Sequence, residues 1–208
     1  MSADALILAF DGWLRTLARV PASAERPNPG AHGTETVAGT DRADAVAALM
    51  RVNHSGEICA QGLYAGGALF ARSETTREAL RHAAQEELDH LAWCRERLDQ
   101  LDAAPSRLDP FWYLASVVLG AGAGLISDKV SLGFVHATED NVERHLKDHL
   151  RAIPADDTIT RPILQQMLVD EVTHGQHALE QGGVELPAPV RRLMWEGAKL
   201  MTRTSEIC

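Results

Sequence analysis

Apolar residues recur every three to four positions along four long stretches of the chain, roughly 42–71, 74–102, 128–152 and 159–182, and again at about 188–203. That period marks helices with one face turned to a core, and no run of strict alternation marks a strand. The first stripe reads Val46, Leu49, Asn53, Glu57, Ala60, Tyr64, Gly67, and the second Leu80, Ala83, Glu87, Leu91, Cys94, Leu98, Leu101. Breaks fall where turn residues cluster: "AAPSRLDP" after the second stretch, "IPADDTITRP" after the third, "QGGVELPAP" after the fourth. The first and second stretches are joined tightly, as are the third and fourth, so each pair is predicted to be antiparallel. About 25 residues separate the second from the third. Short, long, short is the connection pattern of an all-α, ferritin-like four-helix bundle with one crossover.

Ahead of the bundle (41–208), residues 1–20 place Leu6, Ile7, Phe10, Leu14 and Leu17 on one helical face, with Arg15 and Arg19 off it. This predicts an N-terminal amphipathic helix that docks on the domain or lies on a membrane surface. It has no basic leader region, and Asp11 interrupts its apolar run, so it does not read as a signal peptide. Residues 21–40, rich in Pro, Gly, Ala and Thr, read as a linker. The crossover holds the most hydrophobic stretch of the chain, "FWYLASVVLGAGAGLIS" at 111–127. It is barely long enough to span a bilayer and contains Gly120, Gly122 and Gly124. The expectation is a segment buried in the protein or dipping into a membrane, not one that crosses it.

Each core stripe contains a carboxylate where a hydrophobe belongs. Glu57 interrupts the first, Glu87 the second, Glu139 the third and Glu171 the fourth. The second and fourth also carry a histidine three positions on, in "EELDH" and "DEVTH". The halves repeat: Glu57 then Glu87-x-x-His90, and Glu139 then Glu171-x-x-His174, with intervals of 30 and 32 residues between lone and paired glutamates. On antiparallel helices joined by a tight turn, such intervals bring the groups to one level. An i, i+3 spacing sets Glu and His on one face. Four carboxylates buried together repel and take up protons unless cations lie between them. Two divalent ions balance four negative charges, and mixed imidazole–carboxylate ligation suits iron or manganese. Asp170 and Glu86, each preceding a paired glutamate, are placed to accept a hydrogen bond from the histidine of the opposite helix. His145 lies near the site's face as a candidate proton donor or substrate contact. Cys59, Cys94 and Tyr64 read as core packing.

Composition narrows the classes. With 208 residues, 45% of them hydrophobic and 24% charged, the chain is long enough for one sizeable core. Its net charge of −9 excludes the basic footprint of a nucleic-acid binder. Three cysteines without a CxxC pair fit a reducing compartment.

On "RVNHSGE", "EELDH", "ATEDNVERH" and "DEVTHGQHA", the chain from about Asp41 onward resembles the 3-demethoxyubiquinol 3-hydroxylases, di-iron enzymes of ubiquinone biosynthesis. Asn53 and Ser55 depart from the family's usual Asp and Ala, neither of them a ligand. The resemblance implies two iron ions held by Glu57, Glu87, His90, Glu139, Glu171 and His174, with Glu87 and Glu171 bridging. It places His145 near the quinone. It further implies a polyprenyl quinol substrate, molecular oxygen as co-substrate, NADH as reductant, and peripheral attachment to the cytoplasmic face of the cell membrane. No dinucleotide fingerprint accompanies the NADH expectation. The amphipathic helices leave open a homo-oligomer or partner proteins of ubiquinone synthesis. The rival reading keeps the metals but makes the chain a rubrerythrin- or ferritin-like peroxidase or ferroxidase.

Overall fold

A computed structural model describes residues 3–207, and among them there are seven helices and no strands. In chain order they are α1 (Ala3–Leu17), α2 (Ala43–Phe70), α3 (Glu74–Gln100), α4 (Asp109–Ile126), α5 (Asp128–Ala152), α6 (Thr160–Glu180) and α7 (Ala188–Ile207). The four metal-stripe helices α2, α3, α5 and α6 form the bundle, with α2 against α3 and α5 against α6 as its tight pairs. Local chemistry sets the boundaries. The Ser73 hydroxyl accepts the Thr76 amide at 3.0 Å to start α3, and Ser127 accepts Val130 N at 3.2 Å to start α5. The Asp128 carboxylate accepts the backbone amides of Arg72 and Ser73, both at 2.8 Å, pinning the α2–α3 turn to the α4–α5 turn. The largest apolar core cluster contains Met50, Trp93, Leu98, Leu146, Ile163 and Met167.

Of the two alternatives open at the sequence level, the crossover is not the one buried in the protein. It contains a complete helix, α4, and only 28% of that helix is buried. By length and composition alone it is also long and apolar enough to cross a membrane. Its glycines do not weaken it; they let it lie backbone-to-backbone on α2. A Cβ at Gly120 would sit 2.1 Å from the Leu63 carbonyl oxygen, and one at Gly66 2.1 Å from that of Val117. With its small residues turned inward, α4 presents Phe111, Leu114, Val118, Leu119, Leu125 and Ile126 outward.

α1 follows the same rule and docks on the domain by the face opposite its leucine stripe. It docks through Ala5, Ala9 and Gly12, where the Tyr113 hydroxyl of α4 donates to Ala9 O at 3.1 Å. Leu6, Ile7, Phe10, Leu14 and Leu17, the face expected to pack on the domain or to lie on a membrane, are exposed. The segment between α1 and α2 is a strap rather than a free linker. It is fastened by Asn28 to Glu96, Glu35 to the fully buried Arg97, Thr34 to Thr158 and Arg42 to Asp156.

Candidate metal centre

The apolar stripes of the four bundle helices converge, and the carboxylates that interrupt them meet. Glu57, Glu87, Glu139 and Glu171 are all buried, as are His90 and His174. Ligand atoms of Glu57, Glu87, His90 and Glu171 lie within 4.8 Å of one another. His90 Nδ1 is 2.8 Å from Glu87 Oε2, 3.2 Å from Glu171 Oε1 and 3.7 Å from Glu57 Oε2. His174 Nδ1 is 3.1 Å from Glu87 Oε1 and 3.3 Å from Glu171 Oε2. Glu87 and Glu171 therefore each turn one oxygen to His90 and the other to His174, the disposition of a shared, bridging carboxylate. Glu57 flanks the His90 side. Glu139 is buried beside Glu171, Glu87 and His174.

The far nitrogens of the imidazoles cross to the opposite helix. His90 Nε2 is 2.9 Å from Asp170 Oδ2, and His174 Nε2 is 3.0 Å from Glu86 Oε2. These bonds fix the rings with Nδ1 pointing inward. Burial pushes the Glu57 and Glu139 carboxyls well above the ordinary carboxylate range, and neighbouring glutamates push further. Burial alone would raise the Glu87 carboxyl, but His90 and His174 outweigh it and hold it low. Burial alone would lower the His174 imidazole, yet its bonds to Glu171 and Glu87 raise it to about 12. Among the described residues, the only basic groups paired with these four glutamates are the two imidazoles. Inward-facing donors with four carboxylates and no lysine or arginine among them fit a pair of divalent cations.

Three further groups belong to the surroundings. Tyr64, read from sequence as packing, donates its hydroxyl hydrogen bond to Glu139 Oε1 and lies 3.3 Å from Glu87 Oε1. Its place on the Glu57 stripe, two helical turns on, was the available signal. Asp89, next to His90, is buried and paired with Arg26 of the strap, a contact no periodicity announces. His145 lies outside the cluster and stacks on His149, ring centroids 3.8 Å apart. Burial lowers the His145 pKa to about 4, and its Nε2 has no hydrogen-bond partner among the described residues. Cys59 and Cys94 pack as expected; burial raises the Cys59 thiol to about 12.

A cavity of about 390 Å³ lies beside the centre, between α1, α2 and α3. Leu8, Ile58, Ala68, Leu80 and Leu91 line it, and so does Tyr64, whose hydroxyl reaches the glutamates. Tyr64 thus touches both the chamber, whose rim also carries Arg15, Arg81 and Arg95, and the cluster.

Fold and cluster together define a class: a helical bundle with a buried glutamate–histidine set of the metal-binding kind. Comparison with known proteins narrows it. Residues 44–205 match the family described as "Ubiquinone biosynthesis protein COQ7". The chain is similar to a 3-demethoxyubiquinol 3-hydroxylase of Pseudomonas fluorescens, 50% identical over 97% of this chain and 94% of the relative. Proteins of the same description from Azotobacter vinelandii and Marinomonas sp. are 49% and 47% identical, each over 97% of this chain and over 94% and 96% of the relative. The chain belongs to the COQ7 family.

Proposed function

We infer that this protein hydroxylates the ring of a demethoxyubiquinol in ubiquinone biosynthesis, using molecular oxygen. The observation that carries the reading is the geometry of Glu87 and Glu171, each offering one oxygen to either histidine, in a chain matched over nearly its whole length by hydroxylases. In this reading Glu57, Glu87, His90, Glu139, Glu171 and His174 would hold two iron ions. When bound, the iron pair supplies the redox chemistry that divides molecular oxygen between the ring and a water molecule, two electrons coming from NADH. The protein's own contribution is placement. The apolar walls beside Tyr64 receive the quinol ring and exclude water, while the Tyr64 hydroxyl steadies Glu87 and Glu139 from the substrate side. His145, kept neutral by burial, is not among the residues lining that chamber, so the quinone contact expected from the resemblance has no geometric support in this reading.

A polyprenyl substrate resides in a bilayer, and both α1 and α4 turn large apolar side chains outward, Leu8 of α1 being exposed and also lining the chamber. The protein accordingly sits peripherally on the cytoplasmic face of the membrane, these two helices against the lipid. A peroxidase or ferroxidase would use the same cluster but has no need of the apolar chamber. The functional test is complementation in a bacterium that lacks its own hydroxylase and accumulates demethoxyubiquinol. Wild-type chain restores ubiquinone and Glu171→Gln does not. Continued accumulation with the wild-type chain expressed and iron-loaded would refute the assignment.

A further inference from the structure

The two halves of the centre repeat in sequence, but their surroundings do not. On one side Glu86 accepts from His174, and its other neighbour is His82 Nδ1 at 3.2 Å, on a side chain 77% exposed to solvent. On the other side Asp170 accepts from His90 and is itself held twice. Gln166 Nε2 donates to Oδ1 at 2.9 Å, and the Arg26 guanidinium reaches Oδ2 with Nη1 at 2.9 Å. Arg26 comes from the strap, far from the bundle in sequence. Its Nε donates to Asp89 Oδ2 at 2.5 Å, and Asp89 Oδ1 accepts the backbone amides of Glu25 at 2.6 Å and Arg26 at 3.3 Å. The guanidinium lies 5.0 Å from the centre of the Trp93 ring, whose indole N–H donates to Arg26 O at 3.4 Å. Asp89 precedes His90, whereas Thr173 precedes His174, so this clamp has no counterpart on the second half.

We propose that Arg26 is a positioning residue for the His90 half of the metal centre. It joins α3 at Asp89 to α6 at Asp170 and holds Asp170 where it accepts the His90 Nε2 hydrogen bond. An imidazole binds a metal best when the partner of its far nitrogen is fixed, and losing such a partner costs roughly ten- to hundredfold in metal affinity. Asp170 is 14% exposed; without the guanidinium only Gln166, on Oδ1, restrains it, Oδ2 is left free to turn, and the His90 ring loses its fixed partner. Planarity matters: a guanidinium fork engages two carboxylates at once, and an ammonium does not reproduce it. The His174 half, held by Glu86, is untouched.

The proposal rests on the metal-centre reading and not on the choice of substrate. Cobalt(II), followed by its visible absorption, serves as probe in titrations of the metal-free full-length protein. Wild type takes up two equivalents. Arg26→Met, which keeps an apolar stem on Trp93, weakens one equivalent by roughly ten- to hundredfold and leaves the other unchanged. Arg26→Lys shows the same selective loss at smaller size. Asn28→Ala, which cuts the neighbouring strap contact to Glu96, changes neither. Unchanged titrations in the Arg26 variants would overturn the proposal, as would equal weakening of both equivalents shared by Asn28→Ala. Should Arg26→Met fail to fold, Arg26→Lys decides by the same criteria. Wild-type protein that binds fewer than two cobalt ions would overturn the metal-centre reading, and this proposal with it.

Discussion

Tyr64 carries the most consequence for a single side chain, because one ring faces the apolar chamber while its hydroxyl touches Glu87 and Glu139. Tyr64→Phe keeps the packing and removes only those bonds. Turnover should fall roughly ten- to hundredfold with bound iron retained, and a variant with wild-type turnover would remove Tyr64 from the account. His145 and His149 give a pH prediction of definite sign. Burial lowers them from 6.5 to about 4 and about 3, His149 being lowered further by His145. The unfolded chain therefore binds more protons below 6.5, so stability is complete at neutral pH and falls as pH drops toward 4. The loss is on the order of a few kcal/mol for the pair, and His149→Gln should flatten it in urea unfolding followed across pH. A pH profile unaltered by that substitution would contradict the assignment. The glutamates were legible in the sequence because a charge on an apolar stripe demands a reason. Arg26 and Asp89 were not, since their pairing depends on how a strap without periodicity lies across α3 and α6.

At the level of elements, periodicity recovered the four bundle helices to within a residue or two at each end, because a stripe and its caps are local properties. It could not orient α1 and α4. A row of large apolar residues reads equally as a face for the core or for a membrane, and in both helices small residues, with Tyr113 of α4, make the contact while the leucines and valines at Leu6, Leu14, Leu114 and Val118 face out. What the pattern lacks is the partner: toward α4, α2 offers Gly62 and Gly66, which reward close approach over side-chain volume. Gly120→Val tests this. Its new Cβ meets the Leu63 carbonyl, a backbone atom that cannot step aside, so the variant should lose about 1–3 kcal/mol in urea unfolding. Wild-type stability would mean that α4 is held in some other way.

At the scale of the whole molecule, the proposed function joins the buried cluster, the chamber beside it and the outward apolar surface of α1 and α4, which it sets against lipid. Serine at Val118, Leu119 and Ile126 changes only exposed positions, with Val118 70% accessible. That triple variant should keep its melting temperature and lose most of its recovery with membranes; unchanged sedimentation would remove the lipid-facing role. Chelation of the metals should lower the melting temperature, since ions that bind only the folded state stabilise it.

The central claim is that the cluster hydroxylates a quinol ring. Its most direct test is mass spectrometry of a short-tailed demethoxyubiquinol incubated with the iron-loaded protein, NADH and isotopically labelled oxygen gas. Incorporation of one labelled oxygen atom into the ring by wild type, and none by Glu87→Gln, is the predicted result. Absence of label in product from protein shown to hold two irons would contradict the hydroxylase reading and favour a peroxidase or ferroxidase built on the same bundle.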